Sequence, residues 1–292
     1  MSTSSVFRTA LRTATLAACA LLVQGCSSVK LAYNQSPHLA YWQLNSYLDL
    51  SEAQTERVRD ELGDLLQWHR NTMLARHAAL LQKVQEQLPS TITSEQACSA
   101  YADARTQFDK VMAQAAPKLA WLASQLTAAQ IRNLQKKQAD TNADWKEEWV
   151  DITPEKLHEQ RFKQLSSRAE SFYGSLEEPQ KLVLKAFIAQ STFDPQRIYT
   201  ERLRRQKDLV QVLQRIGEDR SNSEQARTLV SGYLARFNTS PDPAYQRYAQ
   251  AVVQEGCEGF SRVHNAMTAA QKSKAVLSVK GYERDFLVLA GR

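Results

Sequence analysis

The chain has 292 residues, of which 43% are hydrophobic, and it contains only nine glycines and eight prolines. This length allows one large or two small domains. Because glycine and proline are scarce and no run alternates polar with apolar residues, we expect an all-α fold, an irregular bundle of about ten amphipathic helices. The formal net charge of +6 is mild and forms no basic stripe, which argues against nucleic acid as a partner and indicates only weak attraction to anionic surfaces.

The first residues have the features of a secretory signal peptide. Arg8 and Arg12 form a positively charged start, and residues 14–23 form an apolar run without a charge. That run is too short to span a bilayer, which takes about 20 residues. Gly25 then directly precedes Cys26. This arrangement resembles the lipobox of bacterial lipoproteins, in which the cysteine is acylated and the peptide is cut just before it.

The lipobox implies that residues 1–25 are removed and that residues 26–36 form a lipidated tether. Several acyl chains on one cysteine anchor a protein stably, whereas a single chain does so only marginally. Ser27, and not an aspartate, follows Cys26, which resembles the pattern that directs lipoproteins to the outer membrane. The alternative is an ordinary signal peptide cut nearby, which would leave Cys26 as a free thiol.

The predicted mature domain covers residues 37–292 and begins with a helix over residues 37–49. Tyr41 and Leu44 share one face of this helix, and Trp42 lies on the other. Trp42 is close to the predicted lipid, and tryptophan favours membrane interfaces and binding surfaces. It is therefore a candidate contact residue, and the alternative is that it packs beneath a later helix.

Apolar residues at three- and four-residue spacing predict one long helix over residues 51–88. His69, Met73 and His77 recur every four residues along it, and imidazole with thioether is a donor set that suits copper. The two histidines are two turns apart, about 12 Å by helix rise, so one ion would need help from elsewhere to be held. We expect packed core histidines, with a metal site as the weaker alternative, and no cofactor.

A five-residue pattern occurs four times: an apolar residue, serine or threonine, two further residues, and glutamine. Its copies are LSEAQ, ITSEQ, LTAAQ and MTAAQ at residues 50–54, 92–96, 126–130 and 267–271, with a weaker variant at 176–180. The hydroxyl group caps an amide of the first helical turn, and the glutamine reaches back to the amide of the capping residue. Each copy therefore predicts a helix start, and their irregular spacing argues against a solenoid.

The helix predicted over residues 127–150 is polar on nearly all sides, which is typical of a helix that projects or bridges. Trp145 and Trp149 stand one turn apart near its end. They form either the docking point of this helix on the rest of the protein or an exposed contact for a partner. Both alternatives stay open because tryptophan is enriched in cores and in binding hot spots alike.

Removal of the signal peptide and acylation of Cys26 would leave Cys98 and Cys257 as an even pair in an oxidising periplasm. We predict a disulfide between them, and two buried free thiols are the alternative. The bond would join the first third of the chain to the last, which favours one cooperative unit. Gly256 and Gly259 flank Cys257, and without side chains they would let another backbone come close.

Several distinctive stretches are spread over nearly the whole chain. They are Val29-Lys30-Leu31-Ala32-Tyr33-Asn34, Tyr41-Trp42, Tyr47-Leu48-Asp49, Trp68-His69-Arg70, Phe193-Asp194-Pro195, Val263-His264-Asn265-Ala266-Met267-Thr268 and Lys280-Gly281-Tyr282. Together with the lipobox and the two cysteines, they resemble an uncharacterised family of proteobacterial lipoproteins whose function is unknown. The five-residue patterns alone resemble, more weakly, a motif of small helical periplasmic chaperones.

No motif in the sequence indicates catalysis, because a glycine-rich phosphate loop, an HExxH zinc motif and a GxSxG nucleophile motif are all missing. We expect a lipid-anchored protein on the periplasmic side of the outer membrane that holds another envelope protein, as a chaperone or an assembly adaptor. One alternative is an envelope enzyme acting on lipid or peptidoglycan, with His69, His264 and carboxylates converging in a deep pocket. Another is a structural envelope component. An open groove would favour the protein-holding role.

Overall fold

A computed structural model describes residues 28–218 and 222–291 of the chain. These residues form eleven α-helices and no strand, which confirms the predicted all-α class. The predicted lipidation site, Cys26, lies outside the described residues. The helices are α1 (Ser28–Leu48), α2 (Glu52–Thr72), α3 (Leu74–Gln87), α4 (Ser94–Gln125), α5 (Ala128–Trp149), α6 (Pro154–Tyr173), α7 (Glu178–Gln190), α8 (Pro195–Glu218), α9 (Ser223–Asn238), α10 (Pro243–Asn265) and α11 (Ala269–Leu289). Over the described ranges, none of them combines the length and the apolar character that crossing a bilayer requires.

All four copies of the five-residue pattern start helices through the predicted capping. The hydroxyl groups of Ser51, Thr93, Thr127 and Thr268 accept the amide of the residue three positions on, and the glutamine there accepts the capping residue's amide. This pairing satisfies two of the amide groups that the first turn of a helix otherwise leaves unpaired. Local chemistry therefore sets where α2, α4, α5 and α11 begin.

Two helix boundaries differ from those expected. α1 begins at Ser28 and includes Pro37, so most of the segment predicted as a tether is helical. The predicted long helix over residues 51–88 is interrupted at Met73, where φ is −107°. The Met73 amide still donates to the carbonyl of His69 at 2.8 Å, and the Met73 carbonyl accepts from the amide of His77 at 2.9 Å.

The apolar side chains collect into two cores. The first core is formed by α1, α2, the C-terminal half of α4, α5, α8 and α9, with Leu126 and Leu213 among its buried residues. The second core is formed by α3, α6, α7, α10 and α11, with Ile188 and Ala275 at its centre. α4 is 32 residues long, about 48 Å by helix rise, and its two ends therefore reach both cores.

The predicted disulfide is confirmed. The sulfur atoms of Cys98 on α4 and Cys257 on α10 lie 2.07 Å apart, and the Cα atoms lie 5.3 Å apart. The bond ties the N-terminal part of the long α4 to the second core. It joins residues that are separated by 159 positions in the sequence.

Two of the capping glutamines also join their helices to each other. Gln54 at the start of α2 donates to the carbonyl of Gln125 at 2.8 Å. In return, Gln130 at the start of α5 donates to the carbonyl of Asp49 at 3.0 Å and to the side chain of Gln54 at 2.6 Å. Each carbonyl belongs to the residue just before the partner's pattern, so two helix starts lie back to back.

The same arrangement recurs in the second core. Gln180 donates to the carbonyl of Ala266, and Gln271 donates to the carbonyl of Ser175, both at 3.0 Å. All four paired glutamines are buried. Gln96, in the remaining copy of the pattern, is exposed and caps its own helix. Each core thus contains one pair of helix starts joined by the same contacts.

The polar helix α5 bridges α1 and α8 through buried polar side chains. Asn142 is 7% exposed, accepts from Arg202 at 2.6 Å and donates to Gln206 at 2.6 Å. On α8 itself, Glu201 is also buried and accepts hydrogen bonds from Arg204 and Arg205. Buried polar groups of this kind require partners, which explains how so polar a helix packs inside the protein.

Candidate functional site

An open groove of about 790 Å³ lies on the second core, where α5, α6, α7, α8 and α10 meet. We call it the aromatic groove, because seven phenylalanine, tyrosine and tryptophan side chains line it. They are Trp145, Trp149, Phe172, Tyr173, Phe187, Phe193 and Phe260. Its volume is typical of protein pockets that bind ligands or segments of partners.

The two predicted tryptophans form one side of the aromatic groove. The Trp145 ring stacks on Tyr199 of α8, with centroids 5.7 Å apart and planes at 3°. The Trp149 ring meets Phe193 edge-on, with centroids 6.2 Å apart. Both tryptophans are half-buried. The rings therefore dock the end of α5 on α8, and they also line the open groove.

One end of the aromatic groove carries a polar cluster. Arg161 of α6 donates to the Ser191 hydroxyl at 2.8 Å, and Ser191 donates to the Glu255 carboxylate of α10. Burial alone would raise the pKa of Glu255, but hydrogen bonds from Ser191 and Thr192 hold it below its usual value. Burial lowers the pKa of Arg161, whose guanidinium carbon lies 4.5 Å from the Phe193 ring centre. Ser191 therefore links the two charged groups, and the lining also includes Gln164 and Arg168 among mainly apolar side chains.

His264 lies at the floor of the aromatic groove and is fully buried. Its Nε2 lies 2.8 Å from the carbonyl of Ser90, which can only accept, so Nε2 carries the hydrogen. Nδ1 then accepts from the Tyr173 hydroxyl at 2.8 Å. Burial lowers the pKa of His264 and raises the pKa of Tyr173 to about 12. Both ring nitrogens are occupied, and this histidine is a neutral part of the core.

His69 lies in a different cavity. We call it the histidine cavity; it has a volume of about 680 Å³ and lies between α2, α3, α4 and α11. It also contains His77, with Lys83 and Asp103 at its edge. His69 and His264 therefore do not converge, and the grouping expected for an envelope enzyme is not formed by these residues.

Trp42 is exposed on α1, and the alternative that it packs beneath a later helix is wrong for the described part of the chain. Its side chain is 69% exposed. Leu31 and Leu39 on the same helix are also strongly exposed. Tyr41 and Leu48, on the opposite face, are buried in the first core. Helix α1 therefore packs through one face and presents apolar side chains on the other.

Comparison with models of known families identifies the family. The model of a family of unknown function, DUF6279, matches residues 46–240, which is more than half of the chain. The chain belongs to this family. No curated protein and no solved structure matches it. Membership of DUF6279 agrees with the expectation of an uncharacterised domain and brings no activity with it.

The DUF6279 match includes α2 to α9 and therefore both tryptophans of the aromatic groove. The groove residues on α10, among them Glu255 and Phe260, lie beyond the matched range. These residues were not predicted from the sequence, and neither were Arg161 and the phenylalanines of α6 and α7. No local signal marks them, because each occupies an ordinary helical position and only the packing of five helices brings them together.

Proposed function

We propose that this protein is a lipid-anchored outer-membrane protein that faces the periplasm and holds an apolar segment of another envelope protein in the aromatic groove. The observation that carries the proposal is the groove: it is open, large and lined by rings from five parts of the chain. Aromatic side chains contribute much contact area at a low entropic cost, and they dominate binding hot spots. An open apolar surface suits a protein segment better than a small polar substrate.

The polar cluster at the end of the groove supports the same role. Ser191 already accepts from Arg161 and donates to Glu255, so an incoming partner need not supply hydrogen bonds to this cluster. Buried groups without partners would have favoured a ligand with matching polar atoms. We therefore propose that the partner contributes apolar and aromatic side chains, in the manner of a chaperone client or an assembly component.

The exposed face of α1 supports a position at the membrane. Leu31, Leu39 and Trp42 fall within about 80° of one another around the helix axis, at 100° per residue. Between Ser28 and Leu48 the helix contains no aspartate or glutamate. Apolar faces with tryptophan favour the interfacial layer of a bilayer. Because α1 begins two residues after Cys26, acylation would place this face beside the lipid.

The test of the partner-holding role is site-specific cross-linking in the bacterial envelope. A photoreactive residue replaces Trp149 in the full-length protein, and its captured partners are compared with those from Leu277, which is 69% exposed on α11. A glycine in the groove then provides a blocking variant, because Gly256 lines the groove and an added Cβ there meets nothing within 4 Å. Gly281→Leu on α11, in equally open surroundings, is the matched control.

We expect capture from position 149, little from position 277, and loss of capture in Gly256→Leu but not in Gly281→Leu. Many captured proteins would indicate a chaperone, and one recurring protein would indicate an adaptor. Capture that is absent at position 149, or unaffected by Gly256→Leu, would contradict the proposal. Mass spectrometry of the mature N-terminus tests the anchor separately, since an unacylated Cys26 would overturn that part alone.

A further inference from the structure

His69 and His77 approach each other much more closely than their spacing along a helix implies. Their ring centroids are 5.1 Å apart, with planes at 79°, although two turns of helix separate their backbones by about 12 Å. The interruption at Met73 lies midway between them. The expectation that the two histidines are too far apart to share one ion is therefore wrong, because their side chains converge across this interruption.

Each ring has a nitrogen placed to bind a metal ion. The Tyr33 hydroxyl lies 3.0 Å from Nδ1 of His69 and 3.5 Å from the carbonyl of Leu66. Metal binding through Nε2 of His69 requires the tautomer in which Nδ1 donates to this hydroxyl. That tautomer leaves a lone pair on Nε2 of His69. Nε2 of His77 is buried and has no hydrogen-bond partner. A buried polar atom without a partner destabilises the folded protein, and a bound metal ion would provide that partner.

The separation of the rings fits one tetrahedral ion. Metal–nitrogen bonds to histidine are about 2.0–2.1 Å long, so two imidazoles on one tetrahedral ion place their centroids about 5 Å apart.

We propose that His69 and His77 bind one transition-metal ion of the copper and zinc class through their Nε2 atoms. Tyr33 orients the His69 ring from the outer shell, a role that commonly supports metal-binding histidines. No cluster of three or more His, Cys, Asp or Glu suited to a metal occurs in the described ranges. The remaining coordination positions face the histidine cavity, where water or a small ligand completes them. This inference is independent of the partner-holding role.

The test uses the full mature protein without a histidine tag, titrated calorimetrically with Cu²⁺, Zn²⁺ and Mg²⁺. We expect one Cu²⁺ per chain, weaker Zn²⁺ binding, in the usual order for imidazole sites, and no Mg²⁺ binding. His69→Gln and His77→Gln should each weaken Cu²⁺ binding at least tenfold, and Tyr33→Phe by about 10-fold or more. The exposed His158 provides the matched control His158→Gln, which should bind like the unaltered protein.

Electron paramagnetic resonance of the Cu²⁺ complex gives a readout that a purely structural role would not change. Nitrogen hyperfine coupling should indicate two imidazoles in the unaltered protein and one in His69→Gln. If His77→Gln does not fold, His69→Gln and Tyr33→Phe still test the proposal. Absence of Cu²⁺ binding, or binding that neither histidine substitution weakens, would overturn the proposal.

Discussion

At the scale of single residues, four buried glutamines each connect two helices. The side-chain oxygen of each caps its own helix start, and the side-chain amide donates to a carbonyl at the start of a partner helix. Polar side chains this deeply buried stabilise a fold only when all their groups are paired. The glutamines therefore specify which helix starts lie against each other as well as where helices begin.

Replacement of Gln54 by alanine should cost more stability than the same change at Gln96. Gln54→Ala removes a helix cap and leaves the Gln125 carbonyl and the Gln130 side chain without their partner, so we expect a loss of about 2–3 kcal/mol. Gln96→Ala removes only a cap, at about 1 kcal/mol or less. The measurement is the free energy of unfolding in urea for both variants. Equal losses would show that the cross-helix bonds contribute nothing.

The buried His264 predicts a dependence of stability on pH. Burial lowers its pKa in the folded protein, with Lys272 adding to the decrease and the bond to Ser90 opposing it. The unfolded chain therefore binds a proton more readily, near pH 6.5, and stability is complete above that pH and falls as the pH decreases below it. His264→Gln should reduce the slope of unfolding free energy between pH 7 and pH 5.

The slope should decrease in His264→Gln without vanishing, because burial also lowers the pKa values of His69 and His77. Unfolding in urea at several pH values measures the effect. An unchanged slope in His264→Gln would contradict the assignment of a neutral, buried imidazole.

At the scale of helices, the fit of α10 against α7 depends on one glycine. A Cβ at Gly259 would lie 2.5 Å from the Phe187 ring, whereas a Cβ at Gly256 would meet nothing within 4 Å. The expected close approach at this part of α10 is therefore made by an aromatic ring at Gly259 and not by a neighbouring backbone. Phe187 also lines the aromatic groove, so this contact shapes the candidate site.

Alanine at the two glycines should have opposite effects on stability. Gly259→Ala should destabilise the protein by about 1–3 kcal/mol, because the rigid ring must shift in a packed core. Gly256→Ala should stabilise it by up to about 1 kcal/mol, because alanine favours the helix and meets no neighbour. Thermal unfolding of the two variants measures the difference. Similar behaviour of both would contradict the packing described for α10.

At the scale of the whole molecule, two features hold the two cores together. The long helix α4 contributes to the first core at its C-terminal end and contacts α3 and α10 at its other end. The Cys98–Cys257 disulfide then fixes that end to α10. A cross-link over so many residues restricts the unfolded chain, which stabilises the folded protein.

Loss of the disulfide should lower the stability of the whole protein. For a separation of 159 residues, the loop-entropy model gives about 5 kcal/mol, and measured losses are usually about 2–5 kcal/mol. We expect a Cys98→Ser, Cys257→Ser double variant to lose stability within this range. Urea unfolding with and without reductant measures it. Reductant should weaken the unaltered protein and leave the variant unchanged, and any other pattern would exclude the bond.

The sequence by itself determined the features that depend on neighbouring residues. The all-α class followed from composition and periodicity, and four helix starts followed from capping groups that interact within one turn. The disulfide was predicted because removal of the signal peptide and acylation of Cys26 would leave one pair of cysteines, Cys98 and Cys257. These interactions lie within a few residues or depend only on counting, so no knowledge of packing was needed.

Only the tertiary structure decided which distant residues meet. The pairing of Gln54 with Gln130, the exposure of Trp42 and the approach of His69 to His77 all depend on how helices pack and where one is interrupted. The aromatic groove likewise exists only because five helices meet, and Phe172, Phe187 and Phe260 are not distinctive in their own segments. Contacts between residues far apart in the chain leave no periodic or local pattern, and for that reason the candidate sites emerged from the fold.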